Sequence, residues 1–238
     1  MSRAAAAHGG IRPSPNIWDH PHVYEQENLA FDRGQQIEVA IGELHPYAAA
    51  LVLDIGCGTG FHLPRFADRG ARVIGVEPHP PLAVMARERL AARGLGLAAA
   101  VLVAPAQALP LPDSSVDIAH ARWAYFFGPG CEAGLTQVAR VLRPGGLAVV
   151  VDNDATRSTF GAWFARFHPT YDPIAVARFW RRAGFSQRSL TLAWEAADRA
   201  EFESLVRIEF EPDAADLILA EHHGTSVDYA VNLWYRQY

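Results

Sequence analysis

The chain has 238 residues, half hydrophobic and a fifth charged, with 21 basic against 26 acidic side chains and a formal net charge of −5. That length allows one elaborated domain or two small ones, and the acidic balance excludes the footprint of a general nucleic-acid binder. No apolar run approaches the roughly 18 residues of a membrane span, and two cysteines, Cys57 and Cys131, make no disulfide framework.

The opening, MSRAAAAHGGIRPSPN, has no continuous apolar stretch and is broken by Gly and Pro. This argues against a signal peptide and for a weakly tethered start, with the cytoplasm as the expected compartment. From Asn28 to Leu44 the apolar residues Leu29, Ile37, Ala40, Ile41 and Leu44 recur at helical spacing. Short apolar runs then alternate with helical stretches: a strand at 51–55, a helix at 61–69, a strand at 72–76 and a helix at 81–93. Strands at 97–103 and 116–121 follow, then a helix at 132–142 stopped by Pro144-Gly145-Gly146, and a strand at 147–152. Continuous apolar strands separated by helices imply a doubly wound α/β arrangement, its parallel sheet covered on both faces. Beyond Asp152 the pattern changes to an aromatic-rich segment at 153–171, helices at 174–183, 200–208 and 214–222, and strands at 189–194 and 229–235. Without a linker or a repeat, the expected organisation is one domain over 1–238. It divides into an N-terminal helical segment 1–45, a ligand-binding core 46–152 and a substrate-side elaboration 153–238.

The segment LVLDIGCGTG (51–60) sets Gly56, Gly58 and Gly60 between a strand and a helix. Glycines there permit a tight turn and close approach of backbone to ligand, and the helix start offers free N–H groups. Glu77 closes the next strand, so its carboxylate faces the same crevice, where it suits two vicinal ribose hydroxyls. The ligand is a dinucleotide or another adenosine. The dinucleotide fingerprint needs glycines at relative positions 1, 3 and 6, but the sixth position is Phe61 or Leu63. Asp54, directly beneath the loop, repels phosphate and could orient an ammonium. An amino-acid-bearing nucleoside is favoured over NAD.

Taken in order, LVLDIGCGTG, VIGVEPHP, AQALPLPDSSVDIAHARWAYFF and VARVLRPGGLAVVVD resemble the class I S-adenosylmethionine-dependent methyltransferases over residues 51–152. The resemblance implies a Rossmann-like, mostly parallel seven-stranded sheet, its last strand antiparallel beside the fifth, with a helical substrate-side cap. It implies S-adenosylmethionine as cofactor. Asp54 and the loop residues Gly56, Cys57, Gly58 and Gly60 would hold the methionine part, Glu77 the ribose and Pro78 one adenine face. Ala106 and Gln107 would flank the other face, and Ala121 and Arg122 would approach the reacting sulfonium. Two departures stand out. Pro105 replaces the acid that usually accepts the adenine amine, leaving that to backbone groups or Gln107. Phe126-Phe127 replaces a histidine pair, so no general base stands after the fourth strand.

Methyl transfer is an in-line displacement in which the protein mainly aligns the reactants and excludes water. A base is needed only when the acceptor must lose a proton. His120, Arg122 and Tyr24 are the candidate catalytic groups. His20, His22, Glu25 and Arg33 are further N-terminal candidates. Arg122 is also expected to pair with an acid such as Asp152, and Asp152, Asn153 and Asp154 should border the crevice. His168, His222 and His223 lack metal-ligand spacing, so no metal is expected. Trp123, Tyr125, Phe126, Phe127, Trp163, Phe164 and Phe167 would suit an apolar or aromatic acceptor. The expected partner is therefore a small-molecule methyl acceptor, with no nucleic acid and no membrane; a homodimer is compatible with the sequence. The alternatives are a cofactor-binding protein without transfer activity, and a protein or nucleic-acid methyltransferase. The exocyclic-amine motif of the latter is replaced here by Ala121-Arg122-Trp123-Ala124.

Overall fold

The computed structural model describes residues 14–96 and 98–238. Most of the weakly tethered start, and Leu97 of the expected third strand, lie outside the described residues. In chain order the elements are α1 (Pro15–Asp19), α2 (Pro21–Ala30), α3 (Gln36–Leu44), β1 (Leu51–Ile55), α4 (Leu63–Ala67) and β2 (Arg72–Val76). Next come α5 (Pro80–Ala92), β3 (Ala99–Leu102), β4 (Val116–Arg122), α6 (Glu132–Val141) and β5 (Leu142–Asn153). The chain continues through α7 (Thr159–Phe167), α8 (Pro173–Arg182), β6 (Ser186–Glu195), α9 (Arg199–Glu209), α10 (Pro212–Glu221) and β7 (Ser226–Gln237).

The seven strands form one sheet in the order β3-β2-β1-β4-β5-β7-β6. Pairing is parallel from β3 to β5, and β7 runs antiparallel between β5 and β6. Successive strand residues point to opposite faces, so apolar runs feed two cores. Val52, Val73, Ile118, Val149 and Val151 pack with Ile37 and Ile41 of α3, Leu63 and Phe66 of α4, and Ala83, Ala86 and Leu90 of α5. Leu53, Ile55, Val76, Ala119 and Val150 pack with Val138 and Val141 of α6 and Val176 and Trp180 of α8. Among the described residues no helix is long and apolar enough to cross a membrane.

Several elements differ from their sequence expectation: α1 and α7 had no expected counterpart, β6 and β7 each start three residues early, and two further differences have a clear cause. The helical pattern of 28–44 is two helices, because Phe31 leaves α2 to bridge Trp194 of β6. Asp32 (φ +47°) and Gln35 (φ +52°) then turn the chain through the left-handed region. The Asp32 carboxylate accepts the N–H groups of Gln36 (2.8 Å) and Ile37 (2.9 Å), so α3 begins with two of its orphan donors satisfied. The helix α6 ends at Val141, before Pro144, and β5 starts at Leu142. Arg143–Gly146 is absorbed as an irregularity: Val116 pairs Leu142, but Ile118 pairs Leu147.

Candidate active site

The glycine loop is stitched to the end of β2. Gly56 N–H donates to the Val76 carbonyl (2.7 Å), and Gly58 N–H to Glu77 Oε2 (2.9 Å). Glu77 Oε1 accepts from the backbone N–H of His79 (2.8 Å). Gly56, Gly58 and Gly60 all have positive φ (+75°, +55° and +75°), a region costly for residues with a Cβ. Burial raises the Glu77 pKa against its two backbone donors, and two engaged donors leave further acceptor positions on the carboxylate.

A cavity of about 400 Å³ opens over this loop. Its walls include Gly56, Cys57, Gly58, Glu77, Pro78, Ala106 and Gln107, so most of the expected nucleoside residues meet there. Tyr24 and Arg122 line it as well, as do Trp123, Tyr125 and Phe127 of the aromatic set. The N-terminal segment closes one side. Ile17 lies over Gly58, and Trp18 stacks on His79 with ring centroids 4.1 Å apart and planes at 14°. Glu25 anchors that segment through Arg89 (2.7 Å) and the Thr59 hydroxyl (3.2 Å).

Other expected residues lie elsewhere. Asp54 does not border the cavity: its Oδ1 lies 2.8 Å from His120 Nδ1, and both side chains are buried beneath the loop. His120 thus lies beneath the loop and off the cavity wall, with its ring against Phe66. Gly60 is packed against Ala86 of α5, and Ala121 is a core residue. Arg33 reaches the Glu195 carbonyl (2.6 Å) on the surface. Phe126 is buried in the core beneath α6. Asp152, Asn153 and Asp154 do not line the cavity, although Asn153 Oδ1 accepts from Trp123 Nε1 and from the Tyr229 hydroxyl, both at 2.7 Å.

Arg122 does not pair with Asp152. Its Nη1 stands 3.9 Å from Glu38 Oε1 of α3, and the same oxygen is 3.3 Å from His62 Nδ1 and 3.4 Å from Arg65 Nη1. Burial alone would raise the Glu38 pKa, but the His62 hydrogen bond and the charges of Arg122 and Arg65 hold it well below the usual carboxylate range. Burial, reinforced by Arg122, lowers His62 to about 4, so this cavity-lining ring is neutral at pH 7. Burial, with Glu27 and Glu209 nearby, pushes the Tyr24 phenol far up. The sequence reading passed over Glu38 and His62. Glu38 interrupts the apolar stripe of Ile37, Ala40 and Ile41, and a carboxylate at such a position is the readable signal of a buried ion-pair partner.

Residues 53–150 match a protein-family model described as a methyltransferase domain. The chain is 33% identical over 127 residues to a sterol 4-C-methyltransferase of Caenorhabditis elegans, covering 50% of this chain and 38% of that protein. It is 32% identical over 119 residues to a malonyl-[acyl-carrier protein] O-methyltransferase of Serratia marcescens, covering 50% of this chain and 43% of that one. The match thus spans less than half the length of either relative. A crystal structure of a SAM dependent methyltransferase from Aquifex aeolicus superposes with a TM-score of 0.59 at 17% identity, covering 90% of this chain and 96% of that one. Residues 53–150 are thus similar to a methyltransferase domain, and the whole sheet has the fold of the Aquifex aeolicus structure.

Proposed function

We propose that this protein, working as one domain, moves a methyl group from S-adenosylmethionine to a small-molecule acceptor bound in the aromatic-walled cavity. The observation that carries this reading is Glu77. Its buried carboxylate closes β2, is fixed by two backbone donors and borders the cavity beside the glycine loop. The donor set fits an adenosine bearing an amino acid. Glu77 has acceptor capacity for ribose hydroxyls; Pro78, Ala106 and Gln107 form a slot for the base; and the loop glycines admit a ligand where a Cβ would intrude. Arg122 and Tyr24 stand on the methionine side. Bound there, the cofactor supplies a methyl group already activated by a positively charged sulfur.

The protein contributes position and dryness. Ile17 and Trp18 cover the loop, and Trp123, Tyr125 and Phe127 present apolar surface to the acceptor, which lets alignment supply roughly 7–11 kcal/mol of the barrier. His62 is the neutral group able to take a proton, but a ring of such low basicity suits an acceptor that is already nucleophilic. One relative's name, a sterol 4-C-methyltransferase, supports a small acceptor; another is a malonyl-[acyl-carrier protein] O-methyltransferase. Calorimetry with S-adenosylhomocysteine tests the site. Glu77→Ala should weaken binding by about 1.5–3 kcal/mol, as loss of charged hydrogen bonds predicts; unchanged affinity would overturn the ribose assignment. Incubation of a metabolite extract with cofactor carrying a labelled methyl group tests transfer. Tight cofactor binding with no labelled small product would leave a binding protein instead.

A further inference from the structure

We propose that the Arg122 guanidinium is a carboxylate receptor in the cavity wall, taking either the amino-acid carboxylate of the cofactor or an acid group on the acceptor. The proposal deepens the cofactor-site reading and rests on it.

The Arg122 side chain is 3% exposed, lines the cavity, and has no hydrogen-bond partner on Nε, Nη1 or Nη2. A buried guanidinium with five unused N–H donors is costly unless an acceptor arrives from the cavity. Protein acids do not fill that need. Glu38 stands 3.9 Å away, beyond hydrogen-bond range, and its nearer oxygen already serves His62 and Arg65. Asp32, in the turn before α3, accepts the N–H groups of Gln36 and Ile37 and makes no hydrogen bond to Arg122. Glu27 of α2 and Glu209 of α9 are buried together, and burial raises both pKa values, Glu209 to about 7. Tyr24 of α2 stays a neutral phenol. The guanidinium donors of Arg122 are left without an acceptor in this wall.

The shape of the pocket selects the anion. Phe31 and Trp123 lie over the guanidinium, with ring centroids 5.0 and 4.7 Å from Cζ. Aromatic cover on the flat group leaves its edge of N–H donors for a ligand, and a planar carboxylate matches two of them at once. A carboxylate brings one negative charge into this dry wall, whereas a phosphate dianion would bring two. Neutralisation also removes the repulsion between Arg122 and a sulfonium sharing the cavity.

Calorimetry on the full chain separates the sources, with S-adenosylhomocysteine and 5′-methylthioadenosine, which lacks the amino-acid end, as probes. If the cofactor supplies the carboxylate, Arg122→Gln weakens S-adenosylhomocysteine about 10- to 100-fold and leaves methylthioadenosine unchanged. If the acceptor supplies it, Arg122→Gln spares both nucleosides. Benzoate, phenylacetate or octanoate then binds the wild-type protein saturated with S-adenosylhomocysteine, and the variant loses that binding. Arg122→Lys keeps the buried charge, guards against a folding defect, and should fall between wild type and Arg122→Gln. The proposal is overturned if both variants weaken the two nucleosides equally, which marks a structural role. It is equally overturned if they bind both as wild type does and no carboxylate joins the wild-type complex. A wild-type protein that binds neither nucleoside would sink the cofactor-site reading, and this proposal with it.

Discussion

Asp152, at the end of β5, is a carboxylate buried without a countercharge. One oxygen accepts the Asn153 N–H (2.8 Å), the other has no partner, and burial raises its pKa from 3.8 to about 7. The native state therefore keeps a proton that the unfolded chain releases. The resulting stability is fully present below about pH 4 and is lost as pH rises through about 7. Asp152→Asn, neutral throughout, should gain on wild type by several degrees of melting temperature between pH 5 and pH 8. Parallel melting curves across that range would show that Asp152 is not the titrating group. At this scale spacing in the sequence located positions, such as Glu77 seventeen residues beyond Gly60, which does border the cavity. It concealed roles set by which neighbour arrives from another element. Arg122 faces Glu38 rather than Asp152 because α3 lays its one charged core residue across the end of β4, a contact 84 residues apart in sequence.

Among elements, α1 meets the glycine loop at the edge of the cavity. A Cβ added to Gly58 would stand 2.6 Å from Ile17 Cδ1, whereas one added to Gly94, also at positive φ, meets nothing within 4 Å. The pair separates backbone strain from displacement of α1. Gly94→Ala should cost about 1 kcal/mol of stability and leave cofactor affinity intact. Gly58→Ala should carry a similar strain and, by lifting Ile17 and Trp18, speed S-adenosylhomocysteine release about 10-fold in stopped-flow fluorescence. Equal release rates in the two variants would mean that α1 does not hold the ligand. Periodicity located most helices to within a residue or two, because each buries an apolar stripe. It merged α2 with α3, because the break depends on Phe31 pairing with Trp194, a partner 163 residues away. It also set the fifth strand to begin five residues late, since Pro144-Gly145-Gly146 reads as a stop although the sheet tolerates it as an irregularity.

For the molecule as a whole, alternation of strand and helix through residue 152 was enough to read the parallel half of the sheet. The antiparallel placement of β7 came from family resemblance, since nothing in the local pattern of 226–237 says which strand it will join. That placement has a consequence for synthesis. The strand β7 pairs Leu147–Asn153 on one side and Ser186–Glu195 on the other. Until residues 226–237 leave the ribosome, β5 and β6 each present a naked edge, and β6 has no place in the sheet. The five strands that pair in parallel are all present by residue 153, while one of their faces still awaits Val176 and Trp180 of α8. The wall that holds Phe31 and Tyr229 against Arg122 and Trp123 must wait for the last strand to be drawn in between its neighbours. Nascent chains thus hold the glycine loop and the end of β2 before the aromatic wall opposite is complete.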